Sequence, residues 1–445
     1  MITERPLQND YASLLRMAIP ISLGSLVQFF VVLTDNFFLA RLNEDAINGA
    51  GNAGLVYLTL QMLAVGSSAA LQITIAKRLG EGRRDLALST FRSGLVFHGA
   101  LGIALMALAT ILNQGILGST IASDSVRNVF EPFLSVRTWG FIPFSVLLAF
   151  NALYTGTART LPILIISGTT AFVNIILDAG WVEGWWGMTA MGAQGAAWAS
   201  FVAELCGCVM AIGMTAWVIK DTYRPWNWLQ RSDLIALWKL AYPLMAQFII
   251  TVGTWTAFFF FVEKVGGMEL KVSHVARNLF MLGFVVAQGM QQTTRTYVSG
   301  MIGEGRSAEL KVTLRRIIIL NFGGILLLCH GFILYPESLA SVFFDDGEGF
   351  HAMTRTFKVV FVAVLLESLS GVFLSTIQGM GSTVQAFWVE LVTVTLYLIV
   401  AASMTLLWPQ PIWVIWRVEW VYFSCIGLGS WWFLRRAIWM NPKNG

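Results

Sequence analysis

Twelve apolar runs, each long enough to cross a bilayer, constrain this chain more than any other feature of its sequence. A membrane-spanning helix needs about 20 predominantly apolar residues. By that measure the spans are 14–40, 47–76, 90–114, 129–154, 161–180 and 194–219, then 236–262, 272–301, 314–336, 355–378, 384–408 and 413–434. Inside hydrocarbon every backbone polar group must be bonded within the protein, which leaves helices as the element for such runs. The expected fold class is therefore an all-α polytopic membrane protein with twelve transmembrane helices. Composition agrees: only 12% of residues are charged, against about 25% in soluble domains. Arg5, Asp10 and Arg16 precede the apolar stretch Ala18–Ala40 of the first span and no small-residue cleavage site follows it, so the first span is expected to stay as an anchor.

Basic residues in short loops set the orientation. Lys77, Arg78, Arg83 and Arg84 follow span two, and Arg306, Lys311, Arg315 and Arg316 follow span eight. Lys220, Arg224 and Arg231 lie between spans six and seven, and Arg435, Arg436 and Lys443 end the chain. The loop after span nine is acidic, with Glu337, Asp345, Asp346 and Glu348. With an even number of spans, both termini are expected in the cytoplasm. Trp226 and Trp228 in the linker, like Trp431 and Trp432 near the end of span twelve, suit an interface.

The chain also repeats itself. The sequence GEGR starts at Gly80 and again at Gly303, a displacement of 223 residues (303 − 80). The same displacement relates Ala18 to Ala241, Pro20 to Pro243, Ala64 to Ala287, Gly66 to Gly289, Gly156 to Gly379 and Thr160 to Thr383. Two homologous halves of six spans follow: an N-lobe over 1–220, a cytoplasmic linker over 221–235 and a C-lobe over 236–445. Six is even, so both halves enter the membrane from the same side. They are expected to be six-helix bundles related by a pseudo-two-fold axis along the membrane normal, with a central cavity between them.

Scaffold residues are duplicated and ionisable ones are not. Asp35 maps to Phe258, Asn174 to Tyr397 and Asp178 to Ala401. Cation chemistry is therefore expected in the N-terminal half. Gly24, Gln28, Val31 and Asp35 share one stripe of span one, and Ser167, Thr170, Asn174 and Asp178 share one stripe of span five. Both acids come late in spans that run in the same direction, so they lie at similar depth. Two carboxyls and an amide at one depth make a site that shares a proton or holds a cation. Pro20, which removes a helix hydrogen bond, is a kink or a hinge. Glu204, Glu367, Glu390, Arg137 and Arg295 also fall within spans, and Glu367 is a candidate second coupling residue. Gln28, Phe29, Phe30, Trp139, Phe150, Thr170 and Trp255 are candidate lining of a substrate cavity, the aromatics by stacking on an aromatic or cationic compound.

Other classes find no support. Cys206, Cys208, Cys329 and Cys425 all lie in apolar runs, and the four histidines are scattered, so neither a disulfide framework nor a metal site is expected. No GK[ST] follows GEGR, which is not read as a phosphate cradle, and no catalytic motif is present. Basic clusters interleaved with aromatics, as nucleic-acid binding requires, are absent from the sequence. No enzyme activity and no cofactor are expected.

The two six-span halves, GEGR after spans two and eight, GTART before span five, and VNIILD followed by GAQGAAWA together resemble MATE (multidrug and toxic compound extrusion) transporters. The resemblance covers essentially the whole chain. Pro20, Asp35, Asn174 and Asp178 are similar to the pattern of the DinF-like branch. It implies a V-shaped pair of bundles in a bacterial inner membrane, acting as an antiporter that exports cationic or amphipathic drugs against H⁺ or Na⁺. It also implies that protonation of Asp35 bends span one at Pro20 and releases drug from the N-lobe. Its partners would be small hydrophobic or cationic drugs, the coupling ion and membrane lipids, with the protein acting as a monomer. The NorM and eukaryotic branches carry a glutamate about two turns after the proline of span seven, where this chain has Thr251 and Val252. The alternative reading is a flippase for lipid-linked oligosaccharides of the same superfamily, for which Arg137 and Arg295 are the candidate cations.

Overall fold

The computed structural model describes residues 6–118, 121, 123–218 and 230–439, and the regular structure among them is entirely helical. Twelve helices are long and apolar enough to cross a membrane. They are α1 Tyr11–Leu42, α2 Glu44–Gly80, α3 Arg84–Leu117, α4 Asp124–Gly156, α5 Leu161–Glu183 and α6 Ala193–Ala216 in the first half. The second half supplies α7 Arg231–Glu263, α8 Gly267–Gly303, α9 Ser307–Cys329, α10 Glu348–Gly379, α11 Thr383–Leu407 and α12 Ile412–Ala437. Each answers to one expected span. The clear difference is α9, expected to reach 336 but ending at Cys329. Pro336 opens a separate helical turn, and Tyr335 before it sits at φ −144°, ψ 55°. A further helical turn, Gly331–Leu334, follows Cys329 and stops at Tyr335, the residue that Pro336 pushes out of the helical region. Arg5, Lys220, Arg224, Trp226, Trp228, Lys443 and positions 221–229 of the linker lie outside the described residues.

The repeat is visible in local geometry. Helices α2 and α8 are both 37 residues long, about 55 Å at 1.5 Å per residue, so each overshoots a hydrocarbon core of about 30 Å. Both end in the GEGR turn. There Gly82 (φ 71°) and Gly305 (φ 70°) take the left-handed conformation that closes a helix. The GTART and GMGST turns match as closely: Arg159 N–H bonds to the Tyr154 carbonyl at 2.8 Å, and Ser382 N–H to the Ile377 carbonyl at 3.2 Å.

Packing gathers the chain into two compact units. One comprises Leu23–Ile75 and Arg83–Met245; the other comprises Pro6–Ser22, Ala76–Gly82 and the chain from Ala246 onward. The divide falls inside three helices, α2 changing unit between Ile75 and Ala76. The residues of α1 up to Ser22 pack with the second unit and those from Leu23 with the first, while α7 changes unit between Met245 and Ala246. Pro20 and Pro243 each lie just before the change. Glycine contacts fix the segments that cross over. In the first unit a Cβ on Gly66 of α2 would lie 2.6 Å from the Met245 nitrogen of α7. In the second unit a Cβ on Gly289 of α8 would lie 2.8 Å from the Ala18 carbonyl oxygen of α1. Gly66 and Gly289 are repeat mates, so the same close approach is built twice.

Each unit has its own core. In the first, one cluster gathers Phe38, Leu39, Phe130, Leu134, Val182 and Ala197, and another gathers Tyr57, Leu105 and Phe141. In the second, Phe258, Phe280, Phe357, Val360, Trp416 and Phe423 belong to one continuous cluster.

Candidate functional site

Three helices of the first unit bring the predicted ion-site residues together. The apolar flanks place them: Phe38 and Leu39 of α1 are buried against Ala179 and Val182 of α5 and Ala196 and Ala197 of α6. A Cβ on Gly195 of α6 would lie 2.3 Å from the Trp181 carbonyl oxygen of α5, so only glycine lets these helices pack this tightly. At the helix ends Arg41 Nε pairs with Glu183 Oε1 at 2.9 Å, tying α1 to α5 again. Just before these ties on α1, Asp35 comes within hydrogen-bonding reach of the Asp178, Ser200 and Asn174 side chains and lies in the field of Arg137.

The polar accounting of this cluster is incomplete in a specific way. Asp178 is 0% exposed and Asn174 1%. Asn174 Nδ2 donates to Ser200 Oγ at 3.5 Å, the long limit of a hydrogen bond. Asp35 Oδ1, Asn174 Oδ1 and both carboxylate oxygens of Asp178 are shut from solvent and have no donor among the described residues. All are acceptors. Two facing carboxylates cannot bond to each other until one carries a proton, and a proton placed between them satisfies an oxygen of each.

A buried ion pair stands beside the cluster. Arg137 Nη1 and Nη2 donate to Glu204 Oε2 and Oε1 at 3.1 and 2.6 Å, a two-pronged geometry that Arg supplies and Lys does not. The guanidinium carbon lies 3.8 Å from the centre of the Tyr57 ring, a cation–π contact. Arg137 is delivered where α4 tightens into a 3₁₀ turn at Thr138–Gly140. Both charges stand out in the sequence but their pairing does not, and Ser200 is an uncharged residue whose neighbours give it no special mark. Acids Asp35, Asp178 and Glu204 outnumber the one cation, so an added proton or cation is favoured there.

The other candidate residues are more dispersed. Gln28 and Phe30 are exposed, Phe29 meets Phe30 edge to face at 6.3 Å, and Trp139 is exposed. Phe150 is buried against Phe91 at 5.5 Å, and Thr170 is buried where α6 passes at Gly207. Trp255 belongs to the second unit and packs on Phe259 and Phe280. Glu367 is also in the second unit, where its Oε1 accepts from Gln291 Nε2 at 2.6 Å and its Oε2 has no donor among the described residues. That unit holds two further buried acids. Glu390 accepts from Thr251, Tyr422 and Gln247, and Glu419 accepts from the Tyr397 hydroxyl at 2.8 Å. Glu419 was not singled out from the sequence, although an acid inside an apolar run was signal enough. No group of three or more metal-binding side chains occurs among the described residues.

The family model described as MatE matches this chain twice, over residues 20–179 and 243–403. The two matches open on Pro20 and Pro243. A relative from Thermotoga maritima, named "Probable multidrug resistance protein NorM", is 22% identical over 393 residues, covering 86% of this chain and 82% of its own. Among solved structures, the "Outward-facing conformation of a multidrug resistance MATE family transporter of the MOP superfamily" superposes with a TM-score of 0.87 at 17% identity, covering 97% of both chains. A structure described as "MATE in the bent conformation" gives a TM-score of 0.86 at 17% identity, covering 97% of this chain and 96% of that one.

Proposed function

Because this chain belongs to the MatE family of transporters, and its first unit holds two facing acids, we propose that it exports drugs in exchange for protons through Asp35 and Asp178. The exported compounds are cationic or amphipathic, as the multidrug naming of its relatives suggests. The protein sits in a bacterial inner membrane as a monomer with both termini in the cytoplasm, in the DinF-like branch of the family. The 1–220, 221–235 and 236–445 segmentation serves as its lobes and linker. One observation supports a proton or small cation at this site: among the described residues the orphaned oxygens of Asp35, Asn174 and Asp178 are all acceptors, and a shared proton satisfies one on each facing carboxylate.

The cycle follows from charge. Asp35 and Asp178 share one proton at rest, and with Glu204 and Arg137 beside them the cluster keeps one net negative charge. That charge attracts a cationic drug from the inside or a second proton from the outside. Loading the second proton neutralises the cluster, removes the attraction and lets α1 bend at Pro20 to release the drug outward. Ion and drug need only prefer different conformations. Each proton moving inward through 100 mV supplies about 2.3 kcal/mol. The bending step draws support from the family member described in a bent conformation.

The flippase alternative is not favoured, since Arg137 is already taken by Glu204 and Arg295 bonds to Gln378. The test is export of ethidium from proteoliposomes under an imposed pH gradient without Na⁺. Export is expected with wild type and absent with Asp35→Asn. Transport that requires a sodium gradient, or wild-type export by Asp35→Asn, rejects the proton site.

A further inference from the structure

Both α1 and α7 carry a proline just before they change unit, yet the two helices are not held alike. Gln247 and Thr251 stand one turn apart on α7, directly after Pro243, and both reach Glu390 of α11. Gln247 Nε2 donates to Glu390 Oε2 at 3.4 Å and Thr251 Oγ1 to Oε1 at 2.6 Å, while the Tyr422 hydroxyl of α12 donates to the same Oε1 at 2.5 Å. The other end of the Gln247 amide is also used. Its Oε1 accepts from Gln378 Nε2 of α10 at 3.1 Å, and Gln378 Oε1 accepts from Arg295 Nη1 of α8 at 3.1 Å. Every donor in this string points toward Glu390, from a guanidinium through two amides to a carboxylate. Glu390 is 1% exposed, Gln378 3%, Gln247 4% and Arg295 5%.

The repeat supplies the control. One displacement back, Gln247 becomes Gly24 and Glu390 becomes Ser167. These two also face each other: a Cβ on Gly24 would lie 3.3 Å from Ser167 Oγ. The helices therefore meet at the same register in both halves, but the first half has no side chain at position 24 to form the bond.

We infer that Glu390 is a positioning residue that pins α7 beyond Pro243, so that the bending of the transport cycle is confined to α1. A bend in α7 at Pro243 would pull Gln247 and Thr251 from Glu390 and strand a carboxylate in the interior. Hydrogen bonds to a charged group are stronger than neutral ones, and a buried charge that loses its donors carries the full desolvation penalty. Nothing equivalent at Gly24 and Ser167 opposes a bend in α1. Assigning the motion to α1 rests on the proposed function; the pin on α7 does not.

Hydrogen–deuterium exchange of the full-length protein in detergent tests the pin. Gln247→Gly/Glu390→Ser, which copies the first half into the second, is expected to speed exchange in α7 peptides after Pro243 about tenfold, a shift of roughly 1.4 kcal/mol. Peptides from α1 and α9 are expected to keep wild-type rates. Glu390→Gln, which retains an oxygen for Thr251 and Tyr422, should give an intermediate change. Unaltered α7 exchange overturns the pin, and so does acceleration that spreads to α9, because that marks a general support of the fold. The reverse graft, Gly24→Gln/Ser167→Glu, is expected to abolish ethidium export while the protein stays folded. Wild-type export by that variant, with the α7 result as expected, overturns the bending of α1 and leaves the pin standing.

Discussion

Phe258 and Tyr397 face each other in the second unit with ring centres 6.1 Å apart, at the places Asp35 and Asn174 hold in the first half. One backbone register thus carries two chemistries. The aromatic pair fills volume, and the Tyr397 hydroxyl is satisfied by Glu419. The acid and amide instead leave buried acceptors without donors. Each such group costs about 1–3 kcal/mol, and at this register the first half carries them on an acid and an amide where the second half has two rings. The asymmetry is the basis for proposing an ion site at the first-half position.

Asparagine at either acid brings its own N–H donors to the facing carboxylate. Asp35→Asn and Asp178→Asn are therefore expected to hold or raise thermal stability while ethidium export falls by at least about tenfold, an energetic deficit of roughly 1.4 kcal/mol or more. Melting in detergent and proton-driven transport in vesicles are the paired measurements. A loss of both together would mean that the acids support the fold.

The Arg137–Glu204 pair predicts non-additivity. Glu204→Gln strands a buried guanidinium and is expected to destabilise by about 3–5 kcal/mol, whereas Arg137→Met/Glu204→Met removes both charges and costs less than either single change. Thermal melts of the two singles and the double check this. Costs that simply add would show that the pair is not coupled.

Pro20 and Pro243 should part company in function. Alanine restores a backbone donor and suits a helix better than proline by about 3 kcal/mol where no bend is needed, so neither Pro20→Ala nor Pro243→Ala should unfold the protein. Pro20→Ala is expected to lose most transport, and Pro243→Ala, next to the pinned segment, to keep most of it. Equal effects in vesicle transport would contradict that division.

The spans, the duplication and the acids of the first half could all be read from sequence because each leaves a one-dimensional trace: an apolar run, a fixed displacement, a charge where charge is costly. Asp35 and Asp178 were found that way. The bond between Gln247 and Glu390 was not, since neither residue points to the other until α7 and α11 are laid side by side. Nor could the crossing of α1 between units be read, because it depends on Gly66 and Gly289 admitting a backbone that no periodicity announces. Span nine is shorter than its apolar run for a local reason: the regular helix closes at Cys329, and Pro336 holds Tyr335 out of the helical region.

The paired turns yield a last prediction, on stability alone. Ala158 in GTART and Gly381 in GMGST are repeat mates, and both adopt the left-handed conformation, at φ 54° and φ 80°. The chain needs that conformation to bring Arg159 and Ser382 back onto the preceding helix end. Glycine accepts it freely, whereas alanine sets its Cβ against the following carbonyl at about 1–2 kcal/mol. Glycine also gives the unfolded chain more freedom, which offsets about 0.5–1 kcal/mol of any gain. Ala158→Gly is thus expected to stabilise by roughly 0.5–1 kcal/mol, the difference between those two costs. Gly381→Ala is expected to destabilise by a similar amount. The check is a pair of melts, read as a rise of a degree or two for the first variant and a matching fall for the second. Transport should be unchanged in both, since the turn lies away from Asp35. A lower melting temperature for Ala158→Gly would show that the alanine methyl makes a packing contact worth more than the strain it carries.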